Sequence, residues 1–256
     1  MSIETRIMGI LNVTPDSFFS GSREMTETGI ANRVKEIVEQ GCAIIDVGAC
    51  STRPDSEPAT VQQEMDRLRI ALPIIKDTAA NIPLSVDTFR TDVAEMCVLD
   101  YGVSIINDIS GGNDNMYRLS GAIDATYVLT YNRKHNIDIL SDMLLFFNER
   151  LDSLARFGTK KIILDPGFGF SKTLEENYLI MKNIGELRRF GFPVLVGISR
   201  KSMIYKLIGG SPESALNGTI VLNTIAAMNN VDWLRVHDVR EAAQTLRVVS
   251  YLNNLV

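Results

Sequence analysis

Short apolar runs rich in β-branched residues alternate with longer amphipathic stretches from one end of the chain to the other. Eight of the short runs have the length and composition of strands, and their continuous apolar character predicts burial on both faces. The predicted strands cover residues 7–12, 43–47, 84–87, 104–108, 125–131, 161–165, 194–198 and 233–237. This alternation is typical of parallel βαβ units, and a closed β/α barrel needs eight of them.

The stretches between the strands show helical spacing of apolar residues. Helices are predicted over 29–40, which ends at Gly41, and over 139–157 and 213–229. A doubly wound open sheet is the alternative fold, but no Gly-x-Gly-x-x-Gly turn follows the first strand. We therefore expect a single-domain α/β protein, a (β/α)8 TIM barrel over residues 1–256, a length that suits one such barrel.

Composition and charge narrow the function. Apolar residues make up 45% and charged residues 22%, as in soluble globular proteins, so the chain is expected to fold throughout. A formal net charge of -5 disfavours nucleic acid and anionic membranes as partners. With no signal peptide and no apolar run of about 18 residues, a cytoplasmic location is expected. Three cysteines without a Cys-x-x-Cys pair argue against a disulfide framework and a zinc site.

Nearly every predicted strand ends in a polar group. In barrels of this type, catalytic groups come from the carboxyl ends of several strands, which share one open face. The strand-end residues are Asn12, Asp46, Asp87, Asn107 with Asp108, 130–132, Asp165, 199–201, and Arg235 with His237. Any one of these could serve only to cap a helix or fix a turn. Asp46, just before Gly48, is the best candidate for such a structural role.

Basic residues fall in these same loops although the protein is acidic overall. They are Arg53, Arg200, Lys201, Arg235 and His237. A positive patch beside carboxylates and amides predicts a substrate with an anionic end and a neutral, hydrogen-bonding end, such as the diphosphate ester of a heterocycle. The alternative for the arginines is surface solvation. Because the chain has only two histidines, His237 cannot belong to a multi-histidine metal centre.

Two glycine-containing turns add further candidate chemistry. Residues 165–170 (DPGFGF) place a carboxylate beside glycines, which allow close approach of the backbone, and beside aromatic rings that can face a flat ligand. Residues 197–202 (GISRKS) offer a hydroxyl and two cations where a helix is expected to begin, a position that favours anions.

Seven motifs, in order and from end to end of the barrel, resemble those of the dihydropteroate synthase family. They are 12–18 (NVTPDSF), 51–54 (STRP), 85–88 (SVDT), 106–108 (IND), 165–170 (DPGFGF), 199–202 (SRKS) and 235–238 (RVHD). The resemblance implies condensation of 6-hydroxymethyl-7,8-dihydropterin diphosphate with 4-aminobenzoate, giving dihydropteroate and diphosphate. It also implies Mg²⁺ and a homodimer.

The resemblance further implies roles for individual residues. The pterin would be held by Asp87, Asn107, Asp165 and Lys201. The diphosphate would be held by Asn12, Arg53, Arg235 and His237, with Asn12 also reaching the metal. The aminobenzoate would be framed by Phe18, Thr52, Pro54, Phe170, Ser199 and Lys201. Arg200 is counted with the substrate-binding cations, and Lys201, Arg235 and His237 are the expected catalytic residues.

The chain departs from the family pattern at three places. Residues 130–133 (TYNR) stand where most relatives carry Met-His-Met, Cys50 stands where a glutamate is usual, and 19–22 (FSGS) replace a common Asp-Gly-Gly. Two rival functions therefore stay open. One is a pterin-binding methyltransferase barrel with a corrinoid partner, which would not need the diphosphate-binding cations. The other is a catalytically silent pterin-binding protein, which the altered fifth turn would suit.

Overall fold

Eight strands alternate with helices in a computed structural model of the chain, which describes residues 4–14, 23–50 and 59–255. The strands are β1 (Arg6–Asn12), β2 (Ile44–Gly48), β3 (Leu84–Asp87), β4 (Ile105–Asp108), β5 (Thr126–Thr130), β6 (Ile162–Asp165), β7 (Leu195–Val196) and β8 (Trp233–Val236). The helices are α1 (Arg23–Glu39), α2 (Val61–Thr78), α3 (Thr91–Tyr101), α4 (Asp114–Ala122), α5 (Ile139–Arg156), α6 (Leu174–Lys182), α7 (Ser202–Ile208), α8 (Leu216–Met228) and α9 (Val239–Asn253). Within the described ranges, two 3₁₀ helices, Ile184–Phe190 and Pro212–Ala215, precede β7 and α8.

The strands form one parallel sheet in the order β6-β5-β4-β3-β2-β1-β8-β7. Its two ends meet through a parallel bridge between Leu164 and Val194, and the Leu164 N–H donates to the Pro193 carbonyl at 2.8 Å. The sheet therefore closes on itself, which confirms the predicted (β/α)8 barrel.

Apolar side chains fill the barrel interior near the amino ends of the strands. The cluster comprises Met8, Ile44, Ile105, Val128, Ile163, Leu195 and Trp233. Strand neighbours of these residues, such as Leu129 and Leu234, point the other way into the layer between barrel and helices. With this half of the interior filled, the space for a ligand lies toward the carboxyl ends of the strands.

Helix starts are well specified by side chains that follow the strand-end loops. Thr60 and Thr173 form capping boxes at α2 and α6, and the Asp138 carboxylate accepts from the Ser141 N–H at α5. These caps end the loops that carry the polar strand-end residues.

No helix in the described ranges is long and apolar enough to cross a membrane.

Three elements differ most from the sequence predictions. Helix α1 begins at Arg23, before the predicted start at residue 29. The prediction missed its first turns because they precede the apolar stripe on which it was based. The helix predicted over 213–229 divides into a 3₁₀ helix starting at Pro212 and α8, since proline favours a first helical turn but donates no hydrogen bond. Strand β7 covers only Leu195–Val196, since a single bridge joins the β6 side to the chain just before it.

Candidate active site

Strand alternation carries the inward-facing positions from the apolar cluster to a set of polar side chains nearer the carboxyl ends. Two residues beyond Ile44, Ile105, Val128, Ile163 and Trp233 lie Asp46, Asn107, Thr130, Asp165 and Arg235. The same alternation turns Ser85 and Asp87 of β3 inward, because Leu84 and Val86 belong to the outer layer. The interior is thus apolar near the amino ends of the strands and polar near their carboxyl ends, as the strand-end residues predicted.

The Arg235 guanidinium joins two carboxylates inside the barrel. Its Nε lies 2.6 Å from Asp46 Oδ2, and its Nη2 lies 2.7 Å from Asp87 Oδ2. Asn107 Nδ2 donates to the same Asp46 oxygen at 3.0 Å. Asp46, which is completely buried, thus orients both Arg235 and Asn107. A structural role for Asp46 agrees with the sequence interpretation, although the group it fixes is a side-chain network inside the barrel.

Burial and the two carboxylates set the ionisation of this network. The pKa of Asp87 is raised to about 7, mainly by burial; the Arg235 cation lowers it, and the charge of Asp46 raises it. Burial disfavours the Arg235 cation, but Asp46 and Asp87 outweigh that effect and raise its pKa, so Arg235 stays charged. Asp87 is therefore the member of the network that can change charge near neutral pH.

The turn after β6 holds Asp165 in place through its glycines. The Gly167 N–H donates to Asp165 Oδ1 at 2.8 Å, and Gly167 has a φ of 66°. A Cβ at position 167 would lie 2.2 Å from the Tyr131 carbonyl oxygen, so the turn needs glycine for both conformation and space. Burial raises the pKa of Asp165, and the nearby Lys201 ammonium opposes that shift.

Lys201 reaches from the start of α7 across to this turn. Its Nζ donates to the Phe168 carbonyl at 2.6 Å and lies 4.6 Å from the centre of the Phe170 ring. Burial lowers the pKa of Lys201 to about 8, with the Asp165 carboxylate opposing the shift. Lys201, Asp165 and Phe170, which come from the two turn motifs, thus lie together at the mouth of the barrel.

Ser199 and His237 pair between the loops after β7 and β8. Ser199 Oγ lies 3.1 Å from His237 Nδ1 and accepts the His237 backbone N–H at 3.2 Å. Burial, together with the Arg235 cation, lowers the pKa of His237 to about 4. The imidazole is neutral at pH 7, so His237 can offer a hydrogen bond there but not a positive charge.

Arg200 is committed to contacts within the protein. Its Nε and Nη2 pair with the two oxygens of Asp238 at 2.9 and 2.8 Å, and its Nη1 donates to the carbonyls of Pro212 and Glu213. These bonds engage all three guanidinium nitrogens and tie the loop after β7 to the start of α9. The prediction that Arg200 binds substrate finds no support in this arrangement, which is that of a structural clamp.

The remaining predicted site residues divide between the described ranges and the rest of the chain. Asn12 lies exposed at the end of β1, and a Cβ on Gly48 would lie 3.3 Å from its Oδ1. Glycine at position 48 therefore leaves space between Asn12 and Asp87. The predictions for Phe18, Thr52, Arg53 and Pro54 concern residues outside the described ranges.

Sequence reasoning missed Lys172, which binds the two turns beside Asp165 together. Its Nζ donates to the carbonyls of Tyr131, Gly167 and Phe170 at 2.9, 2.7 and 3.0 Å. Burial lowers the pKa of Lys172 to about 7, opposed by Asp165. The available signal was its position two residues after the 165–170 motif, but nothing in the pattern shows that a lysine there points inward.

The altered turn after β5 is well ordered by its own contacts. The buried Tyr131 hydroxyl donates to Asp142 at 2.7 Å, and Arg133 pairs with both oxygens of that carboxylate. Asn132 donates to the Ile109 carbonyl at 2.9 Å. The turn therefore closes the side of the barrel between β4 and β6.

Buried carboxylates, an amide and cations converging in a barrel mouth define an enzyme for a flat heterocycle with an anionic tail. Comparisons with known proteins agree with this class. The model of a family described as "Pterin binding enzyme" matches residues 8–237. A dihydropteroate synthase of Synechocystis is 37% identical, with 97% of this chain and 90% of the relative covered.

Solved structures give the same result. A Clostridium difficile dihydropteroate synthase crystallised in the presence of pteroic acid is 36% identical, with a TM-score of 0.93 and 98% of each chain covered. An Anaplasma phagocytophilum dihydropteroate synthase with bound 6-hydroxymethylpterin-monophosphate is 35% identical, with a TM-score of 0.90, 98% of this chain and 100% of the other covered.

The chain belongs to the pterin-binding enzymes and, among them, to the dihydropteroate synthases. It is a transferase that condenses 6-hydroxymethyl-7,8-dihydropterin diphosphate with 4-aminobenzoate to give 7,8-dihydropteroate and diphosphate. The family prediction made from the seven motifs is thereby confirmed.

Proposed function

We propose that the polar half of the barrel interior binds the pterin through Asp87, Asn107, Asp165 and Lys201. The observation that carries this assignment is a buried hydrogen-bonding surface with unused capacity. Asn107 Oδ1 is buried without a hydrogen-bond partner among the described residues, and the buried Asp165 on β6 accepts one bond from the backbone. A pterin presents N–H, amino and carbonyl groups in one plane, and such groups would satisfy this surface.

Charge stabilisation follows from the same residues. Departure of diphosphate from the methylene carbon leaves positive charge on the pterin, and the Asp87 and Asp165 carboxylates lie where they would offset it. The 4-aminobenzoate amine is neutral at pH 7, so its attack on the methylene carbon needs no strong general base. The chain's contribution is thus positioning and electrostatics, with Asp87 active in its ionised form.

We assign the diphosphate to Asn12, Arg53, Arg235 and His237. Asp46 and Asp87 engage Arg235 through Nε and Nη2, while none of the described residues accepts from its Nη1. That N–H group and the neutral His237 imidazole would donate to the leaving oxygens. Arg53 is assigned from the resemblance.

Mg²⁺ fits this mouth as an ion held mainly by phosphate. The described residues contain no cluster of three or more carboxylate, histidine or cysteine side chains suited to a metal. They do offer the exposed Asn12 amide oxygen, and Mg²⁺ with substrate phosphates commonly takes only one or two protein ligands and keeps several waters. The ion would partly neutralise the leaving diphosphate.

We place the 4-aminobenzoate beside Phe170, Ser199 and Lys201, with Phe18, Thr52 and Pro54 assigned from the resemblance. Phe170 supplies a half-buried ring, and the Lys201 ammonium over that ring supplies a cation near the boundary with the pterin pocket. Lys201 is thus the described residue that faces both substrates, which is why we expect its removal to affect turnover more than folding.

Binding of 6-hydroxymethyl-7,8-dihydropterin diphosphate, measured by calorimetry, tests the pterin assignment. We expect Asp165→Asn to weaken binding at least tenfold, because the amide presents an N–H group to the donors of the pterin and loses a charged acceptor. Asp124→Asn is the matched control, since Asp124 is exposed and pairs only with Lys161 among the described residues. Equal affinities for wild type and Asp165→Asn would show that another group reads this edge.

We also propose that the chain forms a homodimer in the cytoplasm, as the family resemblance implies. Helix α8 exposes Val221, Ile225 and Met228, which lie on one helix face at positions i, i+4 and i+7. Neighbouring α9 adds Val248 and other exposed apolar residues to this surface. A patch of this kind fits the same patch of a second copy across a two-fold axis.

Light scattering should report a dimer for wild type and a monomer for the double variant Val221→Glu with Met228→Glu. A wild-type monomer would refute the proposal.

A further inference from the structure

Thr130 carries a buried hydroxyl that the protein itself leaves unused. Its side chain is completely buried, and Oγ1 has no hydrogen-bond partner among the described residues. Helical threonines of this chain avoid that situation, since Thr78, Thr219 and Thr245 each donate to the carbonyl four residues earlier. A strand residue has no such acceptor, and leaving a buried hydroxyl unpaired is destabilising.

The position of Thr130 places this hydroxyl in the pterin pocket. Thr130 lies two residues beyond Val128 of the interior cluster, so its side chain faces into the barrel. It pairs in register with Asp165 on β6. A Cβ on Gly167 would lie 3.0 Å from Thr130 Cγ2, so the methyl group packs toward the turn that orients Asp165, and the hydroxyl points elsewhere.

Other unused buried polar atoms occur on the neighbouring strands. Asp46 Oδ1, Ser85 Oγ and Asn107 Oδ1, like Thr130 Oγ1, have no partner among the described residues. These four atoms come from the consecutive strands β2 to β5 and face the same interior. Such a cluster matches a ligand with several hydrogen-bonding atoms in one plane better than isolated packing defects.

We propose that the Thr130 hydroxyl is a specificity-determining group that hydrogen-bonds the pterin ring next to the atoms bound by Asp165. This inference rests on the proposed pterin site. Thr130 begins the 130–133 turn, one of the places where this chain departs from the family pattern.

The test measures affinity for 6-hydroxymethyl-7,8-dihydropterin diphosphate by calorimetry, and thermal stability without ligand, for Thr130→Val and Thr130→Ser. Valine keeps the shape and the β-strand preference but removes the hydroxyl. We expect Thr130→Val to bind five- to tenfold more weakly, the effect of about one lost hydrogen bond. Its Tm should equal or exceed that of wild type, because an unsatisfied group is removed. Thr130→Ser, which keeps the hydroxyl, should stay within about threefold of wild type on the same reasoning.

Thr126→Val is the matched control because Thr126 lies on the same strand and the same face, below the apolar cluster. We expect its pterin affinity to equal that of wild type. A Thr130→Val variant with wild-type affinity would overturn the inference, as would one that loses only stability. If Thr130→Val fails to fold, weaker binding by Thr130→Ala than by Thr130→Ser supports the inference, and equal binding overturns it. Failure of wild type to bind the pterin would instead refute the proposed site as a whole.

Discussion

Replacing Asp46 by asparagine removes one of the two carboxylates that hold the Arg235 guanidinium. The side chain keeps its shape and can still accept a hydrogen bond from Arg235 Nε, so the network loses a charge with little change in packing. The charge of Asp46 raises the pKa of Asp87, and Arg235 lowers it. With Asp46 neutral, the first effect disappears and Arg235 is shared with one carboxylate fewer. Both changes lower the pKa of Asp87 below its wild-type value of about 7.

The size of the effect follows from the geometry. Asp46 Oδ2 and Asp87 Oδ2 contact Nε and Nη2 of the same guanidinium at 2.6 and 2.7 Å. Two unit charges about 5 Å apart interact by about 3 kcal/mol at an effective dielectric constant of about 20. Since one pKa unit corresponds to about 1.4 kcal/mol, a fall of about two units is expected.

The assay is kcat/KM for the pterin diphosphate from about pH 5 to 9, which reports the ionisations of the free enzyme. Since the ionised Asp87 is the active form, wild-type activity should rise as pH increases through about 7. In Asp46→Asn this rise should move to lower pH by at least about one unit. Asp108→Asn is the control, because Asp108 is also buried at a strand end but faces outward to Ser110 and Tyr127. An Asp46→Asn profile that coincides with wild type would refute the coupling.

Further variants test other parts of the site. Lys201→Ala should lower kcat by about 10²-fold or more in a protein with near-normal Tm, since an electrostatic group at both substrates is lost. Gly167→Ala should raise KM for the pterin diphosphate and lower stability by more than about 1 kcal/mol, because a methyl group cannot fit against the Tyr131 carbonyl. Arg200→Gln should lower Tm by breaking the Asp238 clamp, while pterin affinity changes less than threefold.

Matched measurements keep these outcomes interpretable. Lys206→Ala, on helix α7, which Lys201 precedes, should leave kcat unchanged, as should Gly158→Ala in the turn after α5. Unchanged turnover in Lys201→Ala would remove this residue from the mechanism. A large loss of diphosphate-ester binding in Arg200→Gln, with normal Tm, would restore the original prediction that Arg200 binds substrate.

Much of the architecture was predictable because the strands of a barrel produce local patterns of apolar and polar residues. The eight runs are apolar because the strands are covered on both faces. Polar residues end the runs because the carboxyl ends of the strands lie at the open face of the barrel. The boundary errors came from features without a pattern, such as the short β7, whose length depends on pairing with distant strands.

The site was harder to predict because residue type does not reveal which contacts a side chain makes. Arg200 and Lys201 are neighbours in sequence, yet Arg200 pairs with Asp238 whereas Lys201 reaches the turn after Asp165. The positive φ of Arg200, 56°, points the two side chains in different directions. Neither composition nor spacing predicts this backbone conformation. For the same reason Lys172 was missed, and Thr130 was identified as a strand end without a role, because their importance depends on carbonyls and open space brought together by different strands.

The most direct test of the central claim is release of diphosphate from 6-hydroxymethyl-7,8-dihydropterin diphosphate by the wild-type protein with Mg²⁺. We predict stoichiometric release of diphosphate and formation of dihydropteroate when 4-aminobenzoate is present, and inhibition when a sulfonamide competes with 4-aminobenzoate. Binding of the pterin ester without diphosphate release under these conditions would contradict the account and identify a catalytically silent binder.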